Sequence, residues 1–221
     1  MSARIRFAKT APNRDVRISG TQRWTAHPVF AWAGLRPVQA QHTEAEHGAL
    51  EKYGRNRRSA VELGVAEGAS AVAIRDVMDP GGTLYLVDPY HLSRVPVLNF
   101  LQRAAHRAVS AKSGPKVVWL QEFSYEAADE WSTPIDFLFI DGDHREEAVE
   151  QDWKQWSPFL EPGGVAAFHD ARVFPGGWTR EDHGPVRFVD QVFRTGQESE
   201  WTILDEVDSL VVVARRRPTT E

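Results

Sequence analysis

Hydrophobic and polar positions follow no steady period over residues 1–42, where Pro, Gly and Arg are scattered among Trp24, Phe30 and Trp32. From residue 43 the pattern becomes regular. Thr43 and Glu46 stand at the first and fourth positions of a capping box, which predicts a helix from there to about Tyr53. Short apolar runs at 59–64, 82–88, 116–121, 135–141 and 164–170 predict strands. Between them, helical spacing appears at 69–78, at Val97, Leu101, Ala104, Ala105 and Ala108, and at Val149, Trp153 and Trp156. A helix is predicted around 184–196, with Val186, Val189 and Phe193 facing inward. Two last strands, 200–205 and 209–215, are close enough to pair as an antiparallel hairpin.

Continuous apolar strands alternating with helices predict a parallel sheet covered on both faces. The fold class expected is therefore α/β: a doubly wound, Rossmann-like sheet of seven strands, mostly parallel, with an antiparallel last strand. Residues 43–221 form this domain, and residues 1–42 an irregular lid or oligomer-contact segment. In such sheets ligands sit at the carboxyl ends of strands, near the switch in strand order. That rule directs attention to Gly64–Gly68, Asp88, Glu122–Ser124, Asp141–His144 and His169–Asp170.

Composition narrows the partners. The 221 residues are 42% hydrophobic and 26% charged, ordinary for a soluble globular chain. A net charge of -5 argues against a dedicated nucleic-acid binder, since phosphate neutralisation needs concentrated Lys and Arg. The basic clusters at Arg55–Arg58 and Arg215–Arg217 flank predicted strands and are expected to be solvated. There is no cysteine, hence no disulfide or thiolate metal site, which fits a reducing cytoplasm. The N-terminal stretch carries charges and no apolar run, so neither a signal peptide nor a membrane span is expected.

The loop after the first strand is VELGVAEGAS, residues 61–70. Its spacing is G-x-x-x-G, whereas a dinucleotide fingerprint is G-x-G-x-x-G, and Glu67 would face a pyrophosphate unfavourably. No Gly-Lys-Ser/Thr follows, so it is not a triphosphate-binding loop. The wider turn suits a smaller ligand, with free N–H groups at a helix start offered to a carboxylate. Asp88, roughly twenty residues later, can bridge two ribose hydroxyls. Ribose plus carboxylate without a phosphate cradle points to S-adenosylmethionine; the plainer alternative is a tight turn between strand and helix.

Taken together, VELGVAEGAS, LYLVDPY, IDFLFIDGDH and LEPGGVAAFHD resemble class I S-adenosylmethionine-dependent methyltransferases. Within that class they resemble the small O-methyltransferase branch that includes catechol, caffeoyl-CoA and macrocin O-methyltransferases. The resemblance spans about residues 43–215 and implies seven strands with the last antiparallel. It implies that Gly64 and Gly68 line the methionine part, with Ser70 at its carboxylate and Asp88 at the ribose. Phe123 and Ser124 would border the adenine, and Glu62 and Asp141 complete the expected cofactor-binding set.

In the metal-dependent members of that branch, an Asp ending the fourth strand and an acidic pair ending the fifth hold a divalent ion. The resemblance thus implies Asp141, His169 and Asp170 as metal ligands. A histidine in the pair departs from the all-oxygen pattern that suits Mg²⁺ and shifts preference toward Mn²⁺ or another transition metal. The alternative is a site without metal, in which His169 is a base or a structural histidine. His144 lies three residues beyond Asp141, where catechol-type relatives carry a catalytic lysine, and is the candidate base, with Asp141 beside it. It could equally be a residue that hydrogen-bonds Asp141. Asp143 is expected to cap a helix starting at Arg145, and Lys154 to be solvated. Trp178 and His183, in a Gly-rich loop after the fifth strand, are candidates for substrate contact; Trp24, His27, His42 and His47 could close the pocket from the other side.

The function expected is an O-methyltransferase acting on a hydroxyl of a small molecule: a catechol, a sugar or a natural-product scaffold. Its cofactors would be S-adenosylmethionine and a divalent metal. A non-catalytic S-adenosylmethionine- or nucleotide-binding module is the alternative, and an NAD-dependent oxidoreductase is disfavoured by the missing fingerprint. A homodimer is expected, with no nucleic-acid or membrane partner.

Overall fold

The computed structural model describes residues 5–6, 27–90, 99–111, 113–196 and 200–215; Trp24 lies outside these. At the sheet's centre stand β3 (Ser59–Leu63) and β6 (Ile135–Ile140), which pair in parallel. From β3 the chain steps outward through β4 (Thr83–Val87) to β5 (Lys116–Leu120). It then returns to β6 and moves the other way, through β7 (Leu160–Phe168). β9 (Leu210–Arg215) pairs antiparallel with β7, and β8 (Trp201–Val207) pairs antiparallel with β9 at the edge. The order β5-β4-β3-β6-β7-β9-β8 reverses direction between β3 and β6, which is where such sheets bind ligands.

Both faces of the sheet are buried, as the continuous apolar runs require. Phe137 and Phe139 of β6 join one core cluster, while Leu138 and Ile140 join the other. α3 (Ala69–Val77) and α4 (Phe100–Val109) cover the first face. α6 (Glu146–Trp156) and α7 (Gly184–Val189) cover the second, where Trp153, Phe168, Phe193 and Trp201 meet with ring centroids 4.7–5.5 Å apart. α2 (Glu44–Gly54) carries the predicted capping box: Thr43 N–H donates to Glu46 Oε2, and Glu46 N–H to Thr43 Oγ1. Such a box contributes about 1 kcal/mol.

The pattern misses three features. Residues 27–42 are not wholly irregular: α1 (His27–Trp32) is helical, and β2 (Val38–Gln39) pairs with β1 (Ile5–Arg6). α1 is too short for a period to show, and tertiary contact holds it, with Trp32 against Phe100 of α4 at 5.4 Å. The short α5 (Ser124–Asp129) lacks a legible period for the same reason. β7 runs through Pro162 instead of starting after it, because the register slips between Ile135 and Phe137 and that irregularity accommodates the proline. Among the described residues no helix is long and apolar enough to cross a membrane.

Candidate active site

Register places the site. Leu63 pairs with Val87 and with Ile140, Val87 with Leu120, and Ile140 with Phe168, so five parallel strands end in line. The next residues, Gly64, Asp88, Asp141 and His169, therefore emerge along one edge. Their backbones stay tied: Gly64 N–H donates to Val87 O, Asp141 N–H to Leu63 O and His169 N–H to Ile140 O.

Gly64 has φ +84°, and a Cβ there would lie 2.2 Å from Asp141 O. Only glycine allows the ends of β3 and β6 to approach so closely. The loop then bends over the Asp88 carboxylate: Val65 N–H and Ala66 N–H donate to its Oδ2 at 2.9 and 3.2 Å. Tyr90 N–H donates to Oδ1 at 2.8 Å. Asp88 thus ties the β3 and β4 loops together while its four lone-pair sites leave room for a further donor. Glu67 points away from the strand ends. Its carboxylate sits 2.9 Å from His27 Nδ1 and accepts from Gln39 N–H at 2.8 Å, anchoring α1 and β2 to this loop.

The other expected cofactor residues are held by neighbours. Ser70 donates to the fully buried Glu62 at 2.5 Å, so its hydroxyl proton is already committed. Burial raises the Glu62 pKa well above the usual carboxylate range, the Ser70 hydrogen bond opposes this, and the charges of Asp141 and Asp88 add to it. Phe123 is partly exposed and stacks on Tyr125 at 5.3 Å. Ser124 turns to α6, donating to Asp152 at 2.5 Å.

Burial pushes the Asp152 carboxyl up to about 6, against the Ser124 hydrogen bond, with a further push from the Asp143 charge. Its folded pKa exceeds its unfolded one, so the folded chain holds this proton more tightly, and stability falls as pH rises from about 4 to 6. Asp152→Asn keeps the acceptor oxygen and removes the charge. Measured by urea unfolding, the variant's stability relative to wild type is expected to grow by up to about 3 kcal/mol between pH 4 and pH 8. A pH-independent difference would show that Asp152 is not held protonated.

Asp141, His144, His169 and Asp170 converge. His169 Nδ1 lies 3.1 Å from Asp141 Oδ1 and 3.5 Å from Asp170 Oδ1. His144 Nε2 is 3.4 Å from Asp141 Oδ1, and its Nδ1 is 3.7 Å from Asp170 Oδ2. Asp170 has φ +52°, and its Oδ1 accepts from Trp178 Nε1–H at 2.7 Å, with Ser209 Oγ 3.2 Å away. Burial opposes ionisation of Asp141, but the His169 charge and the hydrogen bonds from both histidines outweigh it and hold its pKa well below the usual range. Burial likewise works to lower His169, and the charges of Asp141 and Asp170 overcome it, raising its pKa well above the ordinary value.

This donor set does not fit the expected metal. A ligating imidazole must present a lone pair to the ion, whereas His169 Nδ1 here faces the Asp141 carboxylate at 3.1 Å. Asp170 Oδ1 is already engaged by the Trp178 indole N–H. Among the described residues, no three His, Asp or Glu side chains are arranged to hold an ion. Asp141, His169 and Asp170 come together as an ion-pair cluster.

Other candidates are resolved by their contacts. Asp143 does not cap α6, which begins at Glu146; it accepts from Arg145 N–H and pairs with the Arg145 guanidinium. Lys154 pairs with Glu150 on the surface. Trp178 folds its loop onto Asp170, and His183 precedes α7 at the N-cap position. His42 is buried and 3.1 Å from His47; burial, then the charges of His169 and His47, hold its pKa down at about 4. The sequence reading does not bring Glu46 or Ser209 to the site. Glu46 Oε1 accepts from Ser209 N–H at 2.7 Å and Oγ–H at 2.6 Å, and Oε2 lies 3.5 Å from His169 Nε2. Only the capping box marked Glu46, and nothing marked Ser209.

A family model described as a methyltransferase domain matches residues 61–171, half of the chain. The fold is similar to that of a protein from Corynebacterium glutamicum, at 15% identity over 91% of this chain and 95% of that one, with a TM-score of 0.61. It is similar to the O-methyltransferase TomG from Streptomyces achromogenes, involved in tomaymycin synthesis and solved with S-adenosylmethionine. That match has 16% identity over 87% of this chain and 89% of that one, with a TM-score of 0.59. An rRNA methylase from Streptococcus thermophilus matches at 12% identity over 78% and 95%, with a TM-score of 0.53. The reversal of strand order, the antiparallel hairpin and the acidic strand ends define a class I S-adenosylmethionine-dependent methyltransferase. The chain belongs to the methyltransferase-domain family.

Proposed function

We propose that the protein transfers the methyl group of S-adenosylmethionine to a hydroxyl of a small molecule, with His144 as general base. The observation carrying this reading is the seat of His144: its side chain is 46% exposed, yet two carboxylates flank its ring at 3.4 and 3.7 Å. Burial alone would lower its pKa; the hydrogen bond and charge of Asp141 and the charge of Asp170 raise it. A base so placed is oriented by one carboxylate and stabilised in its protonated form by both.

In the reaction, the acceptor oxygen attacks the methyl carbon in line with the carbon–sulfur bond. The carbon–oxygen bond forms as the carbon–sulfur bond breaks, S-adenosylhomocysteine leaves, and the hydroxyl proton passes to His144. The loop from Gly64 to Gly68 and the Asp88 carboxylate would hold the methionine and ribose parts, and Phe123 would border the adenine.

Calorimetric titration of S-adenosylhomocysteine into metal-stripped protein, repeated with Mg²⁺, Mn²⁺ and Zn²⁺, tests the reading. Binding of the same strength in every condition is expected. Absence of binding throughout would sink the methyl-donor reading. Methyl transfer is then assayed on catechols, sugars and phenolic scaffolds, and turnover that appears only with added metal would restore the ion.

A further inference from the structure

Outside the residues matched to the family, Glu46 of α2 reaches the histidine of the strand-end cluster. Glu46 is fully buried on α2, and its carboxylate has three donors already: Thr43 N–H, Ser209 N–H and Ser209 Oγ–H. A buried acid so well satisfied cannot swing. Its Oε2 faces His169 Nε2 at 3.5 Å, and that nitrogen is buried with no hydrogen-bond partner among the described residues. The imidazole therefore stands between two carboxylates, Glu46 on one nitrogen and Asp141 on the other. Asp141 in turn faces His144. The same Ser209 hydroxyl lies 3.2 Å from Asp170, so the turn between β8 and β9 touches both Glu46 and Asp170.

We propose that Glu46 is a positioning residue of the active site: it fixes the His169 ring so that Nδ1 meets Asp141, and thereby aims that carboxylate at His144. The capping box accounts for one oxygen of Glu46 and leaves the direction of the whole carboxylate unexplained. A cap on an exposed helix end needs no full burial, whereas a carboxylate that must hold a ring needs a rigid seat. The proposal rests on the strand-end cluster being the active site.

The test reads the His169 ring proton in the full chain labelled with ¹⁵N-histidine, its signal among the eight histidines assigned by its loss in His169→Asn. In wild type, the Nδ1 proton is expected to be visible and protected from solvent exchange. Glu46→Asp keeps the charge and a helix-start acid but withdraws the carboxylate by one methylene, and the signal is lost to exchange. Thr43→Ala weakens the cap without touching His169, and the signal persists. A protected signal in Glu46→Asp, or its loss in Thr43→Ala, would overturn the proposal, the second by assigning the effect to the helix cap. S-adenosylhomocysteine titration of the same wild-type sample reports separately on the methyl-donor reading. Failure to bind it would count against that reading and leave the ring-proton result intact.

Discussion

His144→Ala is expected to lower methyl transfer by about 10²–10⁴-fold while leaving S-adenosylhomocysteine affinity unchanged. The side chain sits at the mouth of the cluster, and its removal leaves Asp141 paired with His169 at 3.1 Å, so the cluster behind it should persist. His144→Gln can still donate to Asp141 but cannot take up a proton, so it should lose as much activity as the alanine variant. Steady-state rates on an acceptor found in the hydroxyl screen decide the matter. Full activity in His144→Gln would reduce His144 to a residue that orients Asp141, and full activity in both variants would remove it from the mechanism.

Gly64→Ala is expected to destabilise the fold by about 3 kcal/mol or more and to weaken S-adenosylhomocysteine binding at least tenfold. Two effects add. An alanine at φ +84° costs about 1–2 kcal/mol for its left-handed backbone. Its Cβ would also lie 2.2 Å from Asp141 O and 2.9 Å from Gly142 Cα. These are backbone atoms just past the end of β6, which cannot rotate aside as a side chain can, and forced overpacking costs about 1–3 kcal/mol more. Gly163→Ala separates the contributions, because Gly163 has φ +87° but nothing within 4 Å of a built Cβ. It should lose only the backbone part in thermal unfolding and keep its affinity. Equal losses in the two variants would show that strain, not the approach of β3 to β6, makes Gly64 necessary.

Much of the frame was legible because local chemistry and periodicity act over short distances. The apolar runs that became β3 to β7 lie between helices of clear spacing, and a chain buried on both faces has no polar alternation to confuse. The Thr43–Glu46 box marked the start of α2 because both its hydrogen bonds close within three residues. Where period fails, so did the reading: α1 and α5 have six residues each, held by what they pack on.

At the site, the sequence by itself determined which residues end the strands, since the rule that parallel strands finish at a ligand edge needs only their boundaries. Gly64, Asp88, Asp141, His144, His169 and Asp170 were named on that ground. Only the tertiary structure decided how their polar atoms are spent. Whether His169 offers a lone pair or shares a proton depends on the distance and direction of Asp141, 28 residues away, and of Glu46 on another helix. Ser209 reaches Glu46 across 163 residues of chain, and no spacing rule connects them. Strand ends follow from local pattern, but the partners of a buried charge follow from packing, because the low dielectric of the interior makes every contact of that charge count.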